Sequence, residues 1–235
     1  MVPAHPLNPV DAVIFDMDGT LVDSEHLTRL TVNAVCGDAG VNGDLLPDAR
    51  LHGVTWDQIA TDLRALFDVL DVTGLDLHHR CHALALAEPP APIPGVIQAL
   101  ADARDAGLAL ALATSSNRQA ADSLLARPGF EPLTVRVTAD DITHSKPDPE
   151  IFLLAATKLG VAPERCLVFE DSLAGLRAAN AAGMQSVAVL HSCADPPTAR
   201  RLATHAIRDY THLPQDFFAS LRLCASPEEV KANPQ

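Results

Sequence analysis

Aromatic rings, lysines and long apolar runs are all scarce in this chain. Aromatic residues make up 4% of its 235 positions. Any core must therefore be filled by Leu, Val, Ile and Ala, which the 48% hydrophobic content supplies. No apolar run approaches the roughly 20 residues that a membrane-spanning helix requires. Lysine occurs only as Lys146, Lys158 and Lys231, and the formal net charge is -13. So acidic a surface excludes nucleic acid and anionic membrane as partners, because both need a field of Lys and Arg. There is no C-x-x-C pair; Cys36, Cys81, Cys166, Cys193 and Cys224 are dispersed and odd in number. That usage suits free thiols in a reducing cytoplasm. Met1–Pro9 carries three prolines but neither a basic cluster nor an apolar stretch, so it does not read as a signal peptide.

What is present falls into two patterns. Val10–Phe15 is a short apolar run that ends in a polar cluster, which predicts a buried strand followed by a loop. Residues 24–88 instead space their apolar positions as helices do, for example Ile59, Leu63, Leu66, Phe67 and Leu70. They predict a small all-helical unit of about four helices. Four prolines between residues 88 and 94 then rule out helix and mark a stiff hinge. Beyond it, strand and helix alternate. Strands are expected at 108–113, 135–138, 166–169, 186–190 and near 206–207. Helices are expected at 96–106, 117–126, 149–159 and 172–182, with Asp148 as N-cap of the third. Such alternation implies a doubly wound parallel α/β sheet covered on both faces. The predicted organisation is a core made of 1–23 and 89–235, split after its first strand by a helical insert at 24–88. In such sheets ligands bind beyond the carboxyl ends of the strands.

The residues at those ends are chemically pointed. Asp16 and Asp18 follow the first strand, roughly 6.5–7 Å apart if the chain is extended. One can attack phosphorus while the other protonates the leaving oxygen and later deprotonates water. Acidic residues can also simply mark a strand exit. Thr114 and Ser115 follow the second strand and precede a helix, where a hydroxyl and helix N–H groups form a phosphate cradle; ordinary N-capping by Ser116 or Asn117 is the alternative. Lys146, in a loop after the third strand, can neutralise phosphate and Asp16 together, or be a solvated surface lysine. Glu170 and Asp171 end an apolar strand and repel one another unless a cation lies between them. With Asp16 they make an oxygen-rich site suited to Mg²⁺; an exposed turn capped by Asp171 or Ser172 is the bland reading. Together the four segments supply the nucleophile, acid/base, charge clamp and metal that phosphoryl transfer needs.

In order, D-x-D-G-T-L-V-D-S from Asp16, T-S-S from Thr114, K-P-D-P from Lys146 and E-D-S-x-x-G from Glu170 resemble the four motifs of the haloacid dehalogenase superfamily. The insert resembles the cap of its β-phosphoglucomutases and sugar-phosphate phosphatases. The resemblance implies that Asp16 is the nucleophile and Asp18 the acid/base, and that Thr114 and Lys146 bind the phosphoryl group. It implies Mg²⁺ held by Asp16, the backbone carbonyl of Asp18, Asp171 and Glu170, the last directly or through water. Dehalogenases lack the second Asp, so Asp18 argues against that reaction. Phosphonate-cleaving relatives need a cap lysine, and 24–91 has none. The mutases carry His where this chain has Thr28, and an Arg where Trp56 follows the loop containing His52. Those departures favour a phosphatase on a small phosphorylated metabolite, a sugar phosphate, over a phosphomutase. A non-catalytic binding module would have no need of Asp18. Trp56 is expected to face the pocket rather than fill the cap. Arg29, Arg50, Arg64 and Arg80 are cap cations that could meet an anionic substrate. His78 and His82 lie one helical turn apart with Cys81 between them, but with no fourth ligand evident a solvated helix is favoured over zinc. The chain is expected to be a monomer.

Overall fold

In the computed structural model, which describes residues 7–47, 50–51 and 56–222, one six-stranded sheet organises the chain. Its strands are β1 (Ala12–Phe15), β2 (Ala109–Ala113), β3 (Val135–Val137), β4 (Cys166–Glu170), β5 (Gln185–Val189) and β6 (His205–Ile207). Their order is β3-β2-β1-β4-β5-β6, with every neighbouring pair parallel. This is a doubly wound α/β sheet. The chain winds outward from β1 to β3 and returns to β4 beside β1, so the order reverses between β1 and β4, where such sheets open a crevice.

Both faces are covered, and the period of two along each strand decides which side chain faces which layer. Val13, Phe15, Leu110, Leu112, Leu167 and Phe169 enter one core. There they meet α4 (Val96–Asp105), α5 (Arg118–Leu125) and α9 (Phe217–Leu221). Ala12, Ile14, Ala111, Ala113, Cys166 and Val168 enter the other, against α6 (Glu150–Leu159) and α7 (Leu173–Ala181). This second layer is rich in alanine on strand and helix alike, so helices can lie close to the sheet. The final helix pairing adds α8 (Pro196–Leu202), which packs Ala199 against Leu176 and Ala188.

Between β1 and β2 the chain is helical, with α1 (Glu25–Asp38), α2 (Trp56–Leu66) and α3 (Gly74–Ala87). Where about four helices were expected, the described residues hold these three and one turn of 3-10 helix at Gly43–Leu45. Asn42 caps that turn by accepting from Asp44 N, and Pro47 stands just beyond it, so it does not lengthen. The three helices share a core of their own built from Val32, Cys36, Ile59, Leu63 and Leu77. A capping box between Thr73 and Asp76 starts α3. The two chain segments that join this insert to the sheet run side by side. Asp23 N donates to Ala91 O at 2.8 Å and Ile93 N to Leu21 O at 3.0 Å.

One helix start differs from expectation. Pro149, not Asp148, is the N-cap of α6. Asp148 Oδ1 instead accepts from Glu150 N at 2.9 Å, a local bond that turns the chain just before the helix. Among the described residues no helix is long and apolar enough to cross a membrane. Cys36, Cys81 and Cys166 are free thiols.

Gly95, the N-cap of α4, has φ of +83°, and a Cβ there would lie 2.8 Å from Thr211 N and 2.9 Å from the Tyr210 carbonyl carbon. A Gly95→Ala change therefore meets both left-handed strain and backbone. It should destabilise the fold by about 2 kcal/mol or more, seen as a Tm lower by roughly 4–8 °C. An unchanged Tm would contradict this seating of the 210–212 turn on α4.

Candidate active site

The strand ends at the reversal of the sheet meet because the strands are in register. Phe15 pairs with Phe169 across β1 and β4, and Asp16 N donates to Phe169 O at 3.0 Å. The next side chains along, Asp16 and Glu170, therefore leave the sheet together. Both are buried, at 6% and 1% exposure. The Lys146 ammonium lies between them, 2.6 Å from Asp16 Oδ1 and 2.8 Å from Glu170 Oε2. Its remaining contacts are Ala113 O at 3.3 Å and the Phe152 ring, 4.9 Å to the centroid. Three acceptors thus use the three ammonium protons while an aromatic face receives the charge. The surface-lysine reading of Lys146 is excluded: its side chain is 6% exposed.

Asp171 joins this group. Carboxylate oxygens of Asp16, Glu170 and Asp171 all lie within 4.8 Å of one another. Thr20, fully buried, donates to Asp171 Oδ1 at 3.2 Å. Two glycines make room. A Cβ on Gly19, whose φ is +75°, would fall 2.3 Å from Asp171 Oδ2, and one on Gly175 would fall 2.1 Å from Glu170 Cδ. Each glycine of the motifs therefore admits one carboxylate. Ser172 caps α7 through Gly175 N while its hydroxyl also donates to Glu170 Oε1 at 2.7 Å. Ser172 thus caps the helix and holds Glu170 with one hydroxyl.

Asp18 stands beside the group. Its Oδ2 accepts from Ser116 Oγ at 2.7 Å, and the backbone N of Ser116 donates to Thr114 Oγ1 at 3.0 Å. Thr114 is buried and Ser115 exposed. Asn117 is the helix cap, accepting from Ala120 N. The sequence reading offers Ser116 only as a helix-cap candidate and gives Thr20 no role. The hydroxyl run T-S-S contained the signal for Ser116, but only the fold brings that hydroxyl to a residue 98 positions away.

The insert residues are placed differently. Thr28 is half-buried on α1. His52 lies outside the described residues. Trp56 is partly buried and packs against the insert's own core, where a large apolar ring finds cover. The insert arginines are likewise engaged within the insert. Arg29 donates to Gly43 O and Leu46 O, and Arg64 donates to Val72 O. Arg50 pairs with Asp62 and Arg80 with Asp38. His78 lies edge-on to His79.

Charge explains the electrostatics of the centre. Three carboxylates face one ammonium. Burial, then the neighbouring Glu170, pushes the Asp16 carboxyl up to about 8, although Lys146 pulls the other way. Burial followed by Glu170 and Asp16 raises Asp171 as well. Burial disfavours the charge of Lys146, but Asp16 and Glu170 outweigh it and hold its proton above the ordinary lysine range. All three directions have one origin, an excess of negative charge out of contact with water. A divalent cation fits this donor set: with Lys146 it would neutralise three carboxylates, whose hard oxygens suit Mg²⁺. A second candidate group, His144, Asp148 and Glu150, is more exposed.

A doubly wound parallel sheet with buried carboxylates and an ammonium gathered at its topological switch point has the form of an α/β enzyme. A family model for haloacid dehalogenase-like hydrolases matches residues 10–183, and the chain belongs to that family. It is 34% identical over 191 residues to the fructose-1-phosphate phosphatase YqaB of Escherichia coli, covering 75% of this chain and 95% of that protein. It is 35% identical over 191 residues to a phosphorylated carbohydrates phosphatase of Thermotoga maritima, covering 79% and 88%. The crystal structure of CbbY from Rhodobacter sphaeroides in complex with phosphate superposes with a TM-score of 0.66 at 28% identity, over 86% of this chain and 96% of that one.

The charge excess has a measurable sign. The Asp16 carboxyl ionises near 3.8 when unfolded and at about 8 when folded without a cation. The fold then keeps a proton that the unfolded chain has released, so this group's contribution to stability is lost as pH rises from about 4 to about 8. Mg²⁺ should replace the proton. The Tm gain on adding millimolar Mg²⁺ should therefore be larger at pH 8 than at pH 5, read by thermal unfolding. Equal gains at both pH values would contradict a cation bound at this carboxylate set.

Proposed function

We propose that this chain is a Mg²⁺-dependent phosphatase that hydrolyses a small phosphorylated metabolite, a sugar phosphate, through an aspartyl-phosphate formed on Asp16. The observation that carries this reading is the convergence of Asp16, Glu170, Asp171 and the Lys146 ammonium at the β1–β4 rim, with Asp18 oriented beside them by Ser116. The names of the two curated relatives support the substrate class, since one acts on fructose 1-phosphate and the other on phosphorylated carbohydrates.

In this proposal an Asp16 carboxylate oxygen attacks phosphorus and the ester P–O bond breaks. Asp18 gives its proton to the departing alkoxide. Asp18 then takes a proton from water, whose oxygen attacks the phosphorus of the aspartyl-phosphate; the P–O bond to Asp16 breaks and phosphate leaves. Lys146 holds Asp16 at Oδ1 and so orients the nucleophile. Thr114, Ser115 and the N-terminal amides of α5 receive the phosphoryl oxygens. Bound Mg²⁺, held by Asp16, Asp18 through its carbonyl, Glu170 and Asp171, supplies charge neutralisation at the transferring group. The insert at 24–88 acts as a cap on the core of 1–23 and 89–235. Its hinges are Val22–Ser24 and the proline-rich stretch at 89–94, and its closure keeps bulk water from the acyl phosphate. We take the working unit to be a monomer.

Hydrolysis is favoured over phosphomutase chemistry. A mutase must hold a sugar bisphosphate by its distal phosphate, yet Arg29, Arg50, Arg64 and Arg80 are all engaged inside the insert. Two measurements test the reading. A panel of phosphate esters assayed with and without Mg²⁺ should release free phosphate only with the metal, with sugar phosphates among the best substrates; isomerised sugar phosphate without free phosphate would show a mutase. Asp16→Asn should lower turnover by at least about 10³-fold, as loss of a covalent nucleophile does, with an unchanged far-UV CD spectrum. Wild-type phosphate release by that variant would remove Asp16 from the role.

A further inference from the structure

The chain's single tyrosine, Tyr210, sits beneath the acidic centre and is held there with unusual care. It opens the 3-10 turn Tyr210–His212 that follows β6. Asp209 Oδ1 ties the turn by accepting from Thr211 N at 3.0 Å and from the Thr211 hydroxyl, with His212 Nδ1 at 2.9 Å. Tyr210 N donates to Pro94 O at 3.1 Å, and Gly95 leaves no space behind the turn. The ring is thereby fixed against two others. It stacks on Phe169, centroids 5.4 Å apart, and tilts over Phe15 at 6.3 Å. Those phenylalanines immediately precede Glu170 and Asp16, so the ring lies under the two strand ends that carry the carboxylates.

Its hydroxyl is the anomaly. Tyr210 is 4% exposed, and the hydroxyl oxygen is buried with no hydrogen-bond partner among the described residues. A phenylalanine would make the same stacking contacts without burying a polar group, which is costly when unpaired. The hydroxyl is also within the field of the acidic centre. Burial first, and then the charges of Asp16, Asp171 and Glu170, hold its proton well above the ordinary phenol range. It stays a neutral donor at any pH at which an enzyme works. A buried donor with no acceptor, in the field of a centre with more negative charge than positive, is an unfinished hydrogen bond.

We propose that Tyr210 is a positioning residue of the acidic centre: its hydroxyl donates, directly or through one water, to the carboxylates at the ends of β1 and β4 when they hold their cation, and so fixes them from beneath. This rests on the Mg²⁺ reading given above. The role is that of groups behind metal ligands generally, which set the orientation of the ligands without touching the metal.

The test is Tyr210→Phe, which removes one oxygen and keeps the stack. Mg²⁺ affinity is measured by calorimetry on the full chain, and Tm is measured with and without Mg²⁺. The expected result is a Tm without Mg²⁺ that equals or exceeds that of the wild type, because an unpaired hydroxyl has gone, together with Mg²⁺ binding weakened by roughly tenfold and a smaller Mg²⁺-induced gain in Tm. Unchanged Mg²⁺ affinity would overturn the inference and leave the phosphatase reading standing. A lower Tm in the absence of Mg²⁺ would also overturn it, making the hydroxyl a structural element. Failure of the wild type itself to bind Mg²⁺ would overturn the functional reading, and this inference with it.

Discussion

A buried ammonium shared by two carboxylates is the interaction on which the rest of this structure turns. Lys146 lies between Asp16 and Glu170 with almost no contact with solvent. Removing three such charges from water costs several kcal/mol for each ion, and only close pairing recovers it. The pairing here is close but the stoichiometry is wrong, because Asp171 adds a third carboxylate, which accepts from Thr20 and has no ammonium of its own among the described residues. A fold does not keep uncompensated buried charge for stability's sake. The imbalance is one that the proposed cation and phosphate ester would complete.

The sheet exists in this arrangement to hold that centre. Parallel strands in register bring residues that follow β1 and β4 to the same height, and the reversal of strand order there keeps any helix from covering them. The aromatic and aliphatic layer of Phe15, Phe169, Tyr210, Phe217 and Phe218 lies beneath one side. The alanine-rich layer, with Phe152 under Lys146, lies beneath the other. The centre thus sits on packed core, which fixes its geometry to within the play of a close-packed interior. Gly19 and Gly175 serve the same end at the level of single atoms, each leaving the space that a carboxylate occupies.

The insert is organised on a different principle. It closes on its own small core, and its described arginines spend their donors on its own carbonyls and acids. Two adjacent chain segments, at 21–23 and 91–93, connect it to the sheet through paired backbone hydrogen bonds. A self-contained helical body on two adjacent, antiparallel tethers can move as a unit, which is what the proposed cap closure requires.

Much of this was legible before folding. The apolar runs of four or five residues, the spacing of helix caps such as Ser172, and the clusters Asp16–Asp18, Thr114–Asn117, Lys146–Pro149 and Glu170–Asp171 locate every strand that carries the centre and most of the residues in it. Period and punctuation are local properties, and local properties survive in a linear string. Helix ends were readable only to a residue or so, as Pro149 in place of Asp148 shows. Side-chain destinations were not readable at all. Trp56 could equally face a pocket or the insert core, since an apolar ring is satisfied by either. Ser116 reached Asp18, Thr20 reached Asp171, and Tyr210 came to lie under Phe169 across dozens of intervening residues. By itself, then, the sequence determined the alternating architecture and the chemical types at each strand end. The tertiary structure alone decided which groups share charge, because burial and pairing depend on distances that are set only when the strands come into register.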